Sequence, residues 1–220
     1  MRIAAALLCL AASSARLAAQ QPLDTAYTRQ IRAATSEPRF NTEFTDHMVA
    51  DPRVPTPFQV LGYVPGTPGH LSYTADVNRY FRALAAASPR VRVFDAGRSD
   101  DGRGMIAVAV ADEASIASLD TYRDITRRLA DPRGLPEQEA RALIARGKPI
   151  YYLTGSIHSP ETGSPEMLME FAYRLAVEDT PTLRAIREKV ITVITPIQEL
   201  DGRDRMVDIY NYGRDRKSVV

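Results

Sequence analysis

The sequence predicts an α/β fold, a mixed, mostly parallel sheet with helices on both faces. Three observations predict it. From Tyr73 onward, segments with strand and helix periodicity alternate along the chain. The run "MIAVAVAD" is hydrophobic on both of its faces, as a strand buried between two layers requires. The order strand, helix, strand then lays helices over the sheet.

Length and composition bound what the fold is used for. The 220 residues suffice for one domain, with or without a pendant segment. A chain that is 45% hydrophobic and 25% charged has the make-up of an ordinary globular protein. Its formal net charge is only +1, and it holds no lysine or arginine cluster interleaved with aromatics. Nucleic acid and anionic membranes are therefore not expected partners.

Each element follows from local pattern. Residues 1–20, "MRIAAALLCLAASSARLAAQ", carry a basic Arg2, an apolar stretch from Ile3 to Ala12 and a small-residue end. That is the layout of a secretory signal peptide, and its apolar part is too short to span a bilayer. A secreted or periplasmic location without a membrane span is expected. Cys9, the only cysteine, would leave with the leader, which excludes disulfides and cysteine nucleophiles from the mature chain. Residues 21–70 are rich in proline, threonine and acidic residues and read as an extended N-terminal segment without a core of its own.

Residues 71–214 carry the domain. Val77, Phe81 and Leu84, with Tyr73 and Tyr80, recur at helical spacing until Pro89 ends the helix. "RVRVFDAG" alternates as a strand, "RSDDGRG" is a turn, and "MIAVAVAD" is the second strand. Helices follow over 116–129 and 136–146, and "KPIYYLT" is the third strand, with Tyr151 and Tyr152 as core and sheet-face residues. Ser164 is expected to cap the next helix, with Pro165 at its first position, and Glu166 and Glu170 in first-turn and solvent-face roles. A helix over 182–189 precedes the fourth strand, "VITVITP". "ELDGRDRMVD" reads as a turn with local ion pairs. Residues 215–220, "DRKSVV", follow without a new element and read as a tail not native to the domain, of the kind one reading frame of a sequencing adapter encodes.

The candidate chemistry lies in "SIHSPETGSPE", between the third strand and the next helix. His158 and Glu161 stand three apart at the carboxyl end of a strand, where open α/β sheets place their sites. Imidazole nitrogen and carboxylate oxygen are both zinc donors, but a catalytic zinc needs a third protein ligand. His47 and His70 lie upstream in the proline-rich segment, in settings that do not recommend them. Taken alone, His-x-x-Glu is more simply a polar turn. Arg203 or Arg205 could carry substrate contacts, and Arg103 is expected to brace the strand turn.

Three blocks together resemble the zinc metallocarboxypeptidases of the carboxypeptidase A/B-like family. They are "VFDAGRSDDGRGMIAVAVAD", with Gly97, Ser99, Gly102 and Arg103; "GSIHSPETGSPEMLMEFAYRLA"; and "VITVITPIQELDGRDR", with Glu199, Leu200, Asp201 and Gly202. The resemblance covers residues 73–211 and implies a carboxypeptidase-like sandwich truncated at its C-terminus. It further implies a bound Zn2+, a peptide or protein substrate, and His158 and Glu161 as the first two metal ligands. The third ligand, the general base and the substrate-holding arginines are expected beyond residue 220, so the fragment alone is expected to be inactive. Pro160 stands where many members have an arginine, and the Asn-Pro of the later turn is missing. These departures leave open a zinc amidase or deacylase of the same fold, acting on cell-wall peptides or acyl-amino acids. A non-catalytic binding domain on this scaffold is the third reading.

Overall fold

The computed structural model describes residues 21–217; the expected signal peptide lies outside the described residues. Four strands form one sheet in the order β1-β2-β4-β3. They are β1 (Val91–Arg98), β2 (Gly104–Val110), β3 (Ile150–Thr154) and β4 (Ile191–Thr195). The sheet is mixed, as the sequence predicts, but the balance differs. Among the described strands, β1 pairs with β2 and β2 with β4 antiparallel, and only β3 runs parallel to β4. The reason is connection length. The short turn after β1 admits only a hairpin, whereas β3 reaches β4 through a two-helix crossover long enough for a parallel return.

Helices cover both faces. On one face Ile106, Val108, Val110 and Ile194 pack against α3 (Thr74–Ala87) and α7 (Gly163–Val177). Helix α3 inserts Val77, Tyr80, Phe81 and Leu84, all without solvent exposure, as the 3.6-residue period demands. Full burial of such a side chain stabilises by roughly 1.5–3 kcal/mol. On the other face Ala109, Ala111, Ile191 and Val193 meet Ile116, Leu119 and Tyr122 from α4 (Glu113–Ala117) and α5 (Leu119–Ala130). The single helix expected over 116–129 is thus two, with the break at Ser118. Further helices are α6 (Glu137–Arg146), α8 (Pro181–Lys189) and α9 (Leu200–Lys217).

The N-terminal segment is less extended than its composition suggests. It holds α1 (Thr25–Ala34), capped by the Asp24 side chain, and α2 (Pro57–Leu61), with a Thr56–Gln59 capping box. Its apolar residues Tyr27, Met48, Val49 and Val64 join the core under α3 and α7. "ELDGRDRMVD" is no turn: it opens α9, which continues through Lys217 into the segment expected to be a tail. At the sheet's edge, Tyr151 is 60% and Tyr152 55% exposed, which corrects their reading as core residues. Among the described strands, β3 has β4 on one side and no neighbour on the other.

Candidate metal centre

Because β3 and β4 run parallel, their carboxyl ends emerge together, with Thr154 beside Thr195. The chain after each strand is then stitched to the other. Gly155 N–H donates to Thr195 O (2.9 Å), Gln198 N–H to Gly155 O (3.0 Å) and Glu199 N–H to Ser156 O (3.0 Å). Ser156 takes a left-handed φ of 47°. Its N–H donates to Ser164 Oγ at 2.9 Å. That bond uses the hydroxyl expected to cap α7, and the N-cap position falls to Thr162, whose side chain makes no cap bond.

The turn brings the two candidate ligands together. His158 Nδ1 lies 2.9 Å from Glu161 Oε1. Glu161 N–H donates to His158 O at 3.0 Å, and His158 N–H reaches Glu161 Oε2 at 3.4 Å. The side chains are 73% and 53% exposed. The hydrogen bond from His158 holds the Glu161 carboxyl below its ordinary range, so the carboxylate stays ionised. One imidazole and one ionised carboxylate, facing each other and open to solvent, fit two positions of a zinc donor set. Among the described residues, no group of three or more His, Cys, Asp or Glu side chains is placed to hold a metal. His47 pairs with Asp46, and His70 stacks on Tyr63 with ring centroids 3.7 Å apart. Neither joins the turn's pair in a metal-holding group among the described residues.

Residues around the turn brace it and the start of α9 beside it. Ser159 Oγ donates to Glu199 Oε2 at 2.6 Å. Gly202 leaves the room for this bond: a Cβ there would sit 2.0 Å from Ser159 Oγ. From the β1–β2 turn, Ser99 Oγ donates to Asp201 Oδ1 (2.7 Å), while Arg103 bonds Asp201 (2.6 Å) and Asp204 (2.7 Å). The Ser99 hydroxyl above all, then the Asp101 N–H and Arg103, hold the Asp201 carboxyl below its ordinary range. Arg103 braces the strand turn, as expected, and ties it to α9 as well.

Arg203, a candidate substrate contact in the sequence, has no solvent exposure. Its donors are taken by Ser72 O, Thr162 O and Glu166 Oε1. It is an internal brace, because the i, i+3, i+7 positions of α9 at Leu200, Arg203 and Val207 all face inward. Glu166 is correspondingly buried rather than solvated, and Glu170 bonds Tyr27 O–H at 2.8 Å. Arg205 is 72% exposed, with Asp101 3.7 Å away. Ser159, Glu199 and Ser72 were not singled out as site residues; only the small-residue turn and the Gly202 position hinted at close packing.

The three sequence blocks thus converge on one end of the sheet. A family model described as zinc carboxypeptidase, Peptidase M14, matches residues 77–218. The chain belongs to the zinc carboxypeptidase family. No curated protein is significantly similar to it. Solved structures similar to this zinc carboxypeptidase chain include carboxypeptidase A from Helicoverpa armigera, at 15% identity and a TM-score of 0.46. Thrombin-activatable fibrinolysis inhibitor is similar at 13% identity and 0.47, and a Burkholderia cenocepacia metallo-carboxypeptidase at 17% and 0.42. The matches cover 84%, 84% and 63% of this chain, which spans 34%, 34% and 28% of those proteins.

Proposed function

We propose that the chain carries part of the zinc site of a secreted or periplasmic metallocarboxypeptidase acting on the C-terminal bonds of peptides. The observation that carries this reading is the 2.9 Å approach of His158 and Glu161 on an exposed turn at the carboxyl end of β3. The leader-like residues 1–20 motivate the location. His158 would offer a ring nitrogen and Glu161 an ionised carboxylate to Zn2+. The chemistry that zinc supplies when bound is activation of water near neutral pH and polarisation of a carbonyl. Glu199 and Ser159 hold the turn, and Arg205, exposed on the first turns of α9 and 3.7 Å from Asp101, would exchange that weak surface pairing for a substrate carboxylate.

Zinc titration of the folded chain by calorimetry tests the site. The parent is expected to bind one ion per chain, more weakly as acid protonates the donors. His158→Ala and Glu161→Ala are each expected to weaken binding by more than about 100-fold, beyond what supporting residues cost. Unchanged affinity in either variant would sink the assignment. With only two donors converging among the described residues, the 220-residue chain is expected to release no C-terminal residue from a peptide. Zinc-dependent release by this chain would overturn that expectation.

A further inference from the structure

We propose that Arg203 is a positioning residue for the metal-ligating turn, locking the main chain after Glu161 to the segment just ahead of α3 through Ser72. The inference rests on His158 and Glu161 being metal ligands. Arg203 and Glu166 form an ion pair at 2.6 Å with almost no solvent exposure. Such a pair is poor value for stability alone, since apolar residues of similar volume generally do as well. What sets it apart is where its donors go. Arg203 Nε and Nη2 donate to Ser72 O at 3.0 and 2.8 Å, and Nη1 donates to Thr162 O at 2.8 Å. A planar guanidinium makes four hydrogen bonds at once here, to Ser72 and to the start of α7, from a rigid fork that the three donors of an ammonium do not reproduce.

Thr162 follows Glu161 directly and stands at the N-cap of α7 without a side-chain cap bond. Arg203 therefore fixes the turn at its downstream end, while the 2.6 Å Ser159–Glu199 bond fixes it upstream. Pro160 and Glu161 lie between the two anchors. Ser72 completes the lock. Its N–H donates to Glu166 Oε1 (2.7 Å) and its hydroxyl to Oε2 (2.6 Å), while Tyr63 O–H donates to Ser72 Oγ (2.8 Å). The segment ahead of α3 is thus coupled, through one carboxylate and one guanidinium, to the backbone beside the second ligand.

The test compares Arg203→Lys, which keeps the charge but loses the fork, with the double variant Arg203→Met/Glu166→Gln, which removes the buried charges and keeps an acceptor for Ser72. Amide hydrogen exchange and titration with zinc alone are measured on the full chain. Both variants are expected to melt cooperatively. The Glu161 amide, bonded to His158 O, is expected to exchange at least about tenfold faster while the β2 and β4 amides keep parent rates. Zinc affinity is expected to fall about tenfold, the size seen when a residue supporting a ligand is lost. If Arg203→Lys does not fold, the double variant decides. Parent-like exchange at Glu161, or protection lost uniformly across the sheet, overturns the proposal. So does parent-like zinc affinity in both variants while His158→Ala abolishes binding, an outcome that leaves the metal site standing. Parent-like affinity in His158→Ala removes the metal reading, and the positioning role with it.

Discussion

Where β3 ends, Gly155 passes so close to the residue after β4 and to α7 that an added Cβ would lie 2.3 Å from Pro196 O and 2.8 Å from Leu168 Cδ1. Backbone does not yield as a flexible side chain does, so the strand ends must part to admit a methyl group. Gly155→Ala is expected to cost about 1–3 kcal/mol, the usual penalty for overpacking. Urea unfolding would show it as a lower midpoint with an unchanged slope; a midpoint equal to the parent's would refute the close approach. Ser156 adds strain at the next position, with φ at 47° and a buried hydroxyl that finds no partner. Departures of this kind persist where surrounding bonds over-determine the backbone, and here those bonds come from Ser164 and Glu199. In the sequence this glycine was only part of a small-residue turn, since the atoms that demand it belong to Pro196 and Leu168.

Elements meet through polar groups that hydrophobic periodicity does not reveal. Helix α1 docks on α7 through Tyr27, whose hydroxyl donates to Glu170. Burial raises the Glu170 carboxyl from its ordinary 4.5 to about 7, against the lowering effects of Tyr27 and Arg174. A carboxyl raised in the folded state binds its proton more tightly there than in the unfolded chain. Its contribution is therefore present below about pH 4.5 and lost as pH rises towards about 7. Glu170→Gln, which still accepts from Tyr27, is expected to flatten stability across this window and to stabilise the neutral-pH protein by roughly 1–3 kcal/mol. Melting curves between pH 4.5 and 7 measure it, and a slope equal to the parent's would contradict the assignment. Helix α9 shows the same limit. Its inward positions Leu200, Arg203 and Val207 include a charged residue, and glycines stand at 202 and 213. No apolar stripe marks it as a helix, so it reads as a turn until the partners of Arg203 are known.

On the scale of the whole molecule, the sheet presents an edge at β3 that no other strand pairs among the described residues. Ile150, Tyr151 and Tyr152 of β3 are all exposed, and Ile157 in the turn after β3 is exposed too. An apolar strand with free backbone groups is a template for pairing with another chain. The 220-residue chain is therefore expected to self-associate with rising concentration. Tyr151→Lys, which puts a charge on that edge without touching the Tyr152–Thr195 bond, is expected to reduce this association. Sedimentation velocity over a concentration series decides it. Equal association in parent and variant would place the contact elsewhere.

The sequence by itself determined the α/β class, the four strands and most helices of the domain, because strand and helix periods are local properties. It offered His158 and Glu161 as candidate ligands only through the three blocks taken together, since the His-x-x-Glu spacing alone reads as a polar turn. Pairing was legible in part. The short turn after β1 announced a hairpin, but nothing local said that β4 would lie antiparallel to β2, so the sheet was expected to be mostly parallel. Only the tertiary structure decided that Arg203 is a buried brace, that Tyr151 and Tyr152 are exposed, and that Ser72, Ser159 and Glu199 converge on the turn. The physical reason is common to all of these. Burial of a polar group and satisfaction of its hydrogen bonds depend on partners tens of residues away in the chain, and no sequence period records them.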